Sequence, residues 1–147
     1  MAGSPSTEHA RRALSPAERI VAAGAIAVCA SLLLPWYGLA FSRGLSVTGL
    51  DRFGFAHAAL LLAVGAAVFL VVREASGRPP LRPLRAAELV AIAGTWAALL
   101  CFFLIVDRPE ELAGRTEVQL RYGIYVAIAG CVTIVIGGLR MREASGQ

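Results

Sequence analysis

Phe55–Val72 reads FAHAALLLAVGAAVFLVV, eighteen residues without one Asp, Glu, Lys or Arg. A helix needs about 20 largely apolar residues to cross roughly 30 Å of hydrocarbon, and about 17 suffice. Lipid offers no partner for a free backbone N–H or C=O, so such a run is expected to be helical. Three more runs lack any charged residue: Ile20–Leu34, Leu89–Val106 and Tyr122–Leu139. The first reaches spanning length once Pro35, Trp36 and Tyr37 join it at the interface. The expectation is an all-α fold, an integral membrane bundle of four transmembrane helices.

Composition agrees. Of 147 residues, 57% are hydrophobic and 16% charged, where a soluble domain carries about 25% charged residues; mean hydropathy is +0.67. Every basic side chain other than histidine is arginine, with no lysine or asparagine in the chain. This is the bias of a GC-rich bacterial genome and carries no mechanism. Arg11 and Arg12 before an apolar run also suggest a signal peptide. The run is long, however, and it ends in a proline and two aromatics where a small-residue cleavage site is wanted, so it is read as a membrane helix.

The arginines set the orientation. With both termini cytoplasmic, nine lie inside (Arg11, Arg12, Arg19, Arg73, Arg78, Arg82, Arg85, Arg140, Arg142) and five outside (Arg43, Arg52, Arg108, Arg115, Arg121), as the positive-inside rule favours. That places the chain in the bacterial plasma membrane as a multi-pass protein. An inner basic excess suits anionic lipid headgroups. Nucleic acid is not implied, because no aromatics interleave with the arginines.

Residues 1–16 read as a disordered cytoplasmic tail, and 17–146 as a single four-helix domain. Ser15-Pro16-Ala17-Glu18 is a helix start: a serine cap, proline in the first turn, an early acid. Pro79, Pro80 and Pro83 make the inner loop a stiff, extended linker. Leu45, Val47 and Gly49 alternate with polar positions, which suits a short hairpin or a surface segment. The second outer loop reads as a helical turn broken at Gly114.

A pentapeptide, Arg-Glu-Ala-Ser-Gly, occurs at 73–77 and again at 142–146. At that offset of 69, Arg52-Phe53-Gly54 falls on Arg121-Tyr122-Gly123 and Ala58 on Ala127. At an offset of 70, Ala17-Glu18 falls on Ala87-Glu88, Ala23-Gly24 on Ala93-Gly94 and Ala27 on Ala97. Membrane grammar explains an interfacial arginine and a terminal glycine, but not Glu-Ala-Ser between them. The expectation is two tandem parallel hairpins, 17–77 and 87–146, with Gly54 and Gly123 at the same depth.

Small residues recur every four positions: Ala23, Ala27 and Ser31; Ala59, Ala63 and Ala67; Ala93, Ala97 and Cys101; Gly123, Ala127 and Cys131. Close helix approach through small residues holds membrane bundles together, so these stripes are expected to be internal packing faces. Cys29, Cys101 and Cys131 all lie inside the runs, and none lies in an outer loop. They suit packing; disulfide-to-quinone electron transfer wants an exposed pair, and metal ligation wants clustered Cys and His. His57 sits one turn into its helix, near enough to the interface to be solvated, and His9, in the N-terminal tail, lies on the opposite side of the membrane. Ser31, Thr95 and Thr133 are lone hydroxyls able to bond their own helix carbonyls. Trp36, Tyr37 and Tyr122 fit an aromatic belt.

Ser31–Gly38 (SLLLPWYG), Ser46–Gly54 (SVTGLDRFG) and the last helix, opened by Arg-Tyr-Gly and closed through Arg140-Met141-Arg142-Glu143, carry a likeness. Together they resemble small four-helix integral membrane proteins of high-GC Gram-positive bacteria, a Leu-Pro-Trp-Tyr motif ending the first helix. Leu50 stands where an aromatic is expected in many of that group. The resemblance implies a fold and a location and no catalytic residues. No catalytic, cofactor-binding or metal site and no cofactor is expected, and the chain is not read as an enzyme. The expected function is association with the lipid bilayer, with itself or with a membrane-protein partner; the alternative is a subunit of a small oligomeric transporter or channel.

Overall fold

The structure, a computed structural model, describes residues 14–39, 46–51, 54–76, 85–106 and 118–145. Four helices account for most of these: α1 Pro16–Ser31, α2 Phe55–Ala75, α3 Ala86–Val106 and α4 Tyr122–Ser145. Three strands, β1 Pro35–Leu39, β2 Ser46–Thr48 and β3 Val118–Leu120, form one antiparallel sheet in the order β2-β1-β3. The inner-loop prolines, the Gly114 turn, residues 1–13 of the N-terminal tail and the glycines of both pentapeptides lie outside the described residues.

The helix start behaves as its sequence dictates. The Ser15 hydroxyl accepts from the Glu18 N–H at 3.3 Å, and the Glu18 carboxylate accepts from the Ser15 N–H. With Pro16 carrying no N–H, two of the three orphan donors of the first turn are thereby satisfied reciprocally.

Three helices, α2, α3 and α4, are long and apolar enough to cross a membrane. At 1.5 Å per residue, the 21 residues of α2 or α3 span about 31 Å. The first helix ends at Ser31, before its apolar run does. It has 16 residues, about 24 Å. Its end tightens instead of continuing: Leu32, Leu33 and Leu34 donate to the carbonyls three residues back. Pro35, which has no N–H to extend a helix, then opens β1.

The helices run alternately up and down, since the sheet meets the end of α1, the start of α2, the end of α3 and the start of α4. Helix α4 is the axis. It packs against α1 on one side and α3 on the other; α2 packs mainly on α3 and touches α1 much less. Gly123, Gly130 and Gly137, spaced by seven, lie along one face of α4. A Cβ built on Gly130 would lie 2.8 Å from Gly24 O, and one on Gly24 would lie 2.7 Å from Gly130 O. One on Gly137 would meet Val21 and Ala17 O. On the α3 side, a Cβ on Gly138 would lie 2.8 Å from Ala91 N. Glycine is needed here for close approach, the device by which helices associate where lipid supplies no hydrophobic drive.

The four-residue stripes are packing faces only in part. Gly123, Ala127 and Cys131 are all buried, as are Ala97 and Cys101, but Ala23 is exposed and Ala59, Ala63 and Ala93 are half-buried. On α1 the inner face is Val21, Gly24, Val28 and Ser31 instead.

Gly54 and Gly123, which the offset of 69 aligns, both stand at helix starts, of α2 and of α4. Their environments differ: Gly54 is an exposed N-cap and Gly123 is buried. In α2 the buried residues are His57, Leu60, Val64, Ala67, Leu70 and Val71. At an offset of 69 these fall on Val126, Ala129, Thr133, Ile136, Leu139 and Arg140, none of which is buried. The same frame buries opposite faces.

Candidate functional site

The most elaborate constellation among the described residues is the sheet-capped end, built on Pro35-Trp36-Tyr37. Adjacent residues of a regular strand point to opposite faces, so one of the two aromatics would face away from the bundle. The β1–β2 register shifts between Pro35 and Tyr37, and such an irregularity re-aims a side chain. Both rings go inside: Trp36 is 0% and Tyr37 2% exposed. The expectation that they sit in an aromatic belt is therefore corrected. Of the three residues named for that belt, Tyr122 alone stays outside, 57% exposed.

The motif ties all four helices together. The Trp36 indole N–H donates to Ser31 O, at the end of α1, over 2.7 Å. Its ring lies against His57 of α2, centroids 5.2 Å apart and planes tilted by 49°. The Tyr37 hydroxyl donates to Leu104 O, near the end of α3, over 2.6 Å. The Arg121 N–H, just before α4, donates to Trp36 O over 2.8 Å. Two glycines make room for the indole. A Cβ on Gly123 would lie 2.6 Å from Trp36 Cδ1, and one on Gly49 would lie 3.0 Å from Trp36 Nε1. A burial of this size contributes several kcal/mol, and the tryptophan N–H needs the partner it finds.

His57 is 3% exposed, so it does not reach solvent at the interface as its position suggested. It sits over Trp36, and its Nδ1 accepts weakly from the Gly54 N–H at 3.5 Å. The lone hydroxyls do as expected: Ser31 donates to Val28 O at 2.6 Å, Thr95 to Ala91 O at 2.9 Å and Thr133 to Ala129 O at 2.7 Å. Each donates its proton within its own helix.

On the sheet side, Asp51 closes a polar turn. Its carboxylate accepts from Thr48 N–H at 2.9 Å and from the Thr48 hydroxyl at 2.8 Å. The Thr48 backbone bond, then the hydroxyl bond, hold its pKa below the ordinary carboxylate value.

The cysteines divide. Cys29 is exposed, whereas Cys101 and Cys131 are buried and face each other across the α3–α4 contact, sulfurs 4.0 Å apart. Sequence reasoning placed all three as separate packing residues. Only the register of two helices, 30 positions apart in the chain, brings this pair together.

Two further concavities flank α1. An apolar groove of about 670 Å³ runs between α1 and α2, lined by Ala22, Ile26, Cys29, Leu61 and Gly65 among others. A mixed cavity of about 650 Å³ at the opposite end from the sheet is lined by Glu18, Glu74, Arg140 and Glu143. Among the described residues, no three His, Cys, Asp or Glu side chains gather as a metal site would require. Compared with known proteins, the chain matches no family model, no curated protein and no solved structure.

Proposed function

We propose that the chain is a non-enzymatic integral membrane protein that acts by association, with lipid, with itself or with a membrane-protein partner. One observation carries this reading: the outer surface of the helices is apolar and, among the described residues, the interior offers no polar route. Ile26, Leu62, Phe69, Trp96, Phe102 and Phe103 face outward. Among the described residues, the buried polar or charged side chains are Glu18, Ser31 and His57. The first caps a helix, the second bonds its own helix and the third lies on Trp36. A transporter or proton relay keeps ionisable groups in mid-membrane.

In this reading all four helices cross. The 16 residues of α1 gain about 6 Å from the tight turns at Leu32–Leu34, which brings the segment to about 30 Å. The sheet, whose edges cannot lie in hydrocarbon, occupies the interfacial layer on the outer side of the bacterial plasma membrane. Both termini are cytoplasmic, by the arginine distribution. The matching order of the two hairpins and their shared pentapeptide support descent from one duplicated hairpin, with α4 turned to serve as the axis after the duplication.

Cross-linking and affinity capture of the full chain in native membranes test the association reading. A reproducible homo-oligomer or a specific co-purifying membrane protein is expected; a strictly monomeric, partnerless chain with no lipid preference overturns it. Ion or solute flux in reconstituted liposomes would replace it with the oligomeric transporter or channel. Exposure of an Arg82 reporter fusion outside the cell would overturn the orientation.

A further inference from the structure

Cys101 and Cys131 are the one place where two nucleophilic side chains of different helices touch in the described interior. Both are fully buried, and their sulfurs stand 4.0 Å apart, each able to donate its S–H to the other. A disulfide needs about 2.05 Å between sulfurs, so each sulfur must move by about 1 Å. The helices that carry them are already as close as backbones allow. Two turns from the pair, a Cβ on Gly94 would lie 3.0 Å from Val135 N, and one on Gly138 would lie 2.8 Å from Ala91 N. Cys101 lies five residues from the sheet-side end of α3 and Cys131 nine residues after the start of α4, roughly 8 and 14 Å deep at 1.5 Å per residue. The pair is therefore near the sheet-capped end and shielded from water by a packed bundle.

We propose that Cys101 and Cys131 are a redox modification site, oxidised by a small uncharged peroxide to a disulfide that joins α3 to α4. Burial selects the oxidant. Glutathione and other charged thiol reagents cannot reach sulfurs with no exposed surface, whereas hydrogen peroxide is small and neutral enough to pass the bilayer and the packing. In the first step one cysteine sulfur attacks a peroxide oxygen. The O–O bond breaks, the thiol proton joins the departing hydroxide as water, and a sulfenic acid remains. In the second step the neighbouring sulfur attacks the sulfenic sulfur. The S–O bond breaks, and the hydroxyl leaves as water with the second thiol proton. Two thiols and one peroxide become one disulfide and two waters, a two-electron oxidation. Both sulfurs are fully buried, so peroxide reaches them slowly and the conversion answers sustained exposure instead of a brief pulse. Once formed, the bond is sheltered from the same charged thiols that could not reach its precursors.

The test uses the full chain in lipid nanodiscs, exposed to hydrogen peroxide, quenched under denaturing conditions with N-ethylmaleimide and read by intact mass and non-reducing peptide mapping. The expected result is a loss of two hydrogens, a fall in alkylated cysteines from the three the chain contains to one, and a single cross-linked peptide joining the segments of Cys101 and Cys131. Cys29→Ser should keep the cross-linked peptide, with alkylated cysteines falling from two to none, and Cys101→Ser should abolish it. Three intact alkylated thiols after prolonged exposure, independent sulfinic acids at the two positions, or disulfides that run through Cys29 would each overturn the proposal. The unsubstituted chain decides alone, so a variant that fails to fold does not obscure the outcome.

Discussion

Helices α2 and α4 both start beside the sheet, yet one is peripheral and the other is the axis of the bundle. Both are apolar throughout and long enough to span hydrocarbon. The difference lies in glycine. Helix α4 carries Gly123, Gly130 and Gly137 on one face, with Gly138 beside them, and there α1 and α3 approach to backbone contact. Helix α2 has one glycine within its span, Gly65, and a Cβ there would meet nothing within 4 Å. For helices apolar enough to lie in lipid, where the solvent is as apolar as the side chains, what ranks them is how closely each lets a neighbour come.

The strongest way to break that contrast is Gly130→Val. Its branched side chain would drive into Gly24 O and the Val28 backbone, neither of which can rotate away. Overpacking of this kind costs about 1–3 kcal/mol, and more where backbone is the obstacle. A large fall in detergent melting temperature is expected, and a melting curve like that of the unsubstituted chain would refute the axial role of α4.

Gly123→Ala is the next test, at the aligned partner of exposed Gly54. Its methyl would meet Trp36 Cδ1 at 2.6 Å and Pro35 O at 2.7 Å. About 1–2 kcal/mol of destabilisation is expected, with altered tryptophan fluorescence as Trp36 shifts. At Gly54 the backbone is extended, φ −125°, so Gly54→Ser should be tolerated. Equal damage at both positions would mean that the starts of α2 and α4 are packed alike. Tyr37→Phe probes the sheet's hold on α3. Losing the bond to Leu104 O should cost about 0.5–1.5 kcal/mol, read as faster hydrogen exchange at the end of α3.

Much of this architecture is legible in the sequence, and what is not has identifiable causes. Charge-free runs locate the three long helices, because lipid leaves the backbone no other conformation. The Ser15 cap is legible because its partner Glu18 is local. Trp36 was misplaced because a tryptophan at a helix end looks the same whether it anchors in headgroups or drops into a core. The deciding features are a register shift in β1 and the space left by Gly49 and Gly123, and both are tertiary. The alanine stripes were read at a spacing of four, while the closest contacts follow a glycine row at a spacing of seven that was equally visible. The thiol pair was not legible, since nothing local fixes the register of α3 against α4.

Gly65→Ala sharpens the contrast from its quiet side. Because the added methyl points into the open groove between α1 and α2, the substitution should be neutral or stabilising by roughly 0.5–1 kcal/mol through reduced backbone freedom. A loss of stability there would show that the groove closes over Gly65 in the membrane.

The smallest expected effect separates the sheet from the helices altogether. Asp51 lies outside the spans and is fully exposed, and its bonds to Thr48 hold its pKa below the ordinary carboxylate value. A depressed folded pKa means that the turn's contribution is present above the unfolded value and lost as pH falls through the folded one. Acidification should therefore loosen Thr48–Asp51 before it affects the helix interior, whose contacts are mostly apolar. Carbon-13 NMR of the Asp51 carboxyl should titrate below a free aspartate, and Thr48→Val, which removes the hydroxyl bond, should move the midpoint back toward it. Simultaneous loss of the turn and of the α1–α4 packing would mean that the sheet and the glycine-packed bundle are one cooperative unit, and that the cap at Trp36 transmits strain between them.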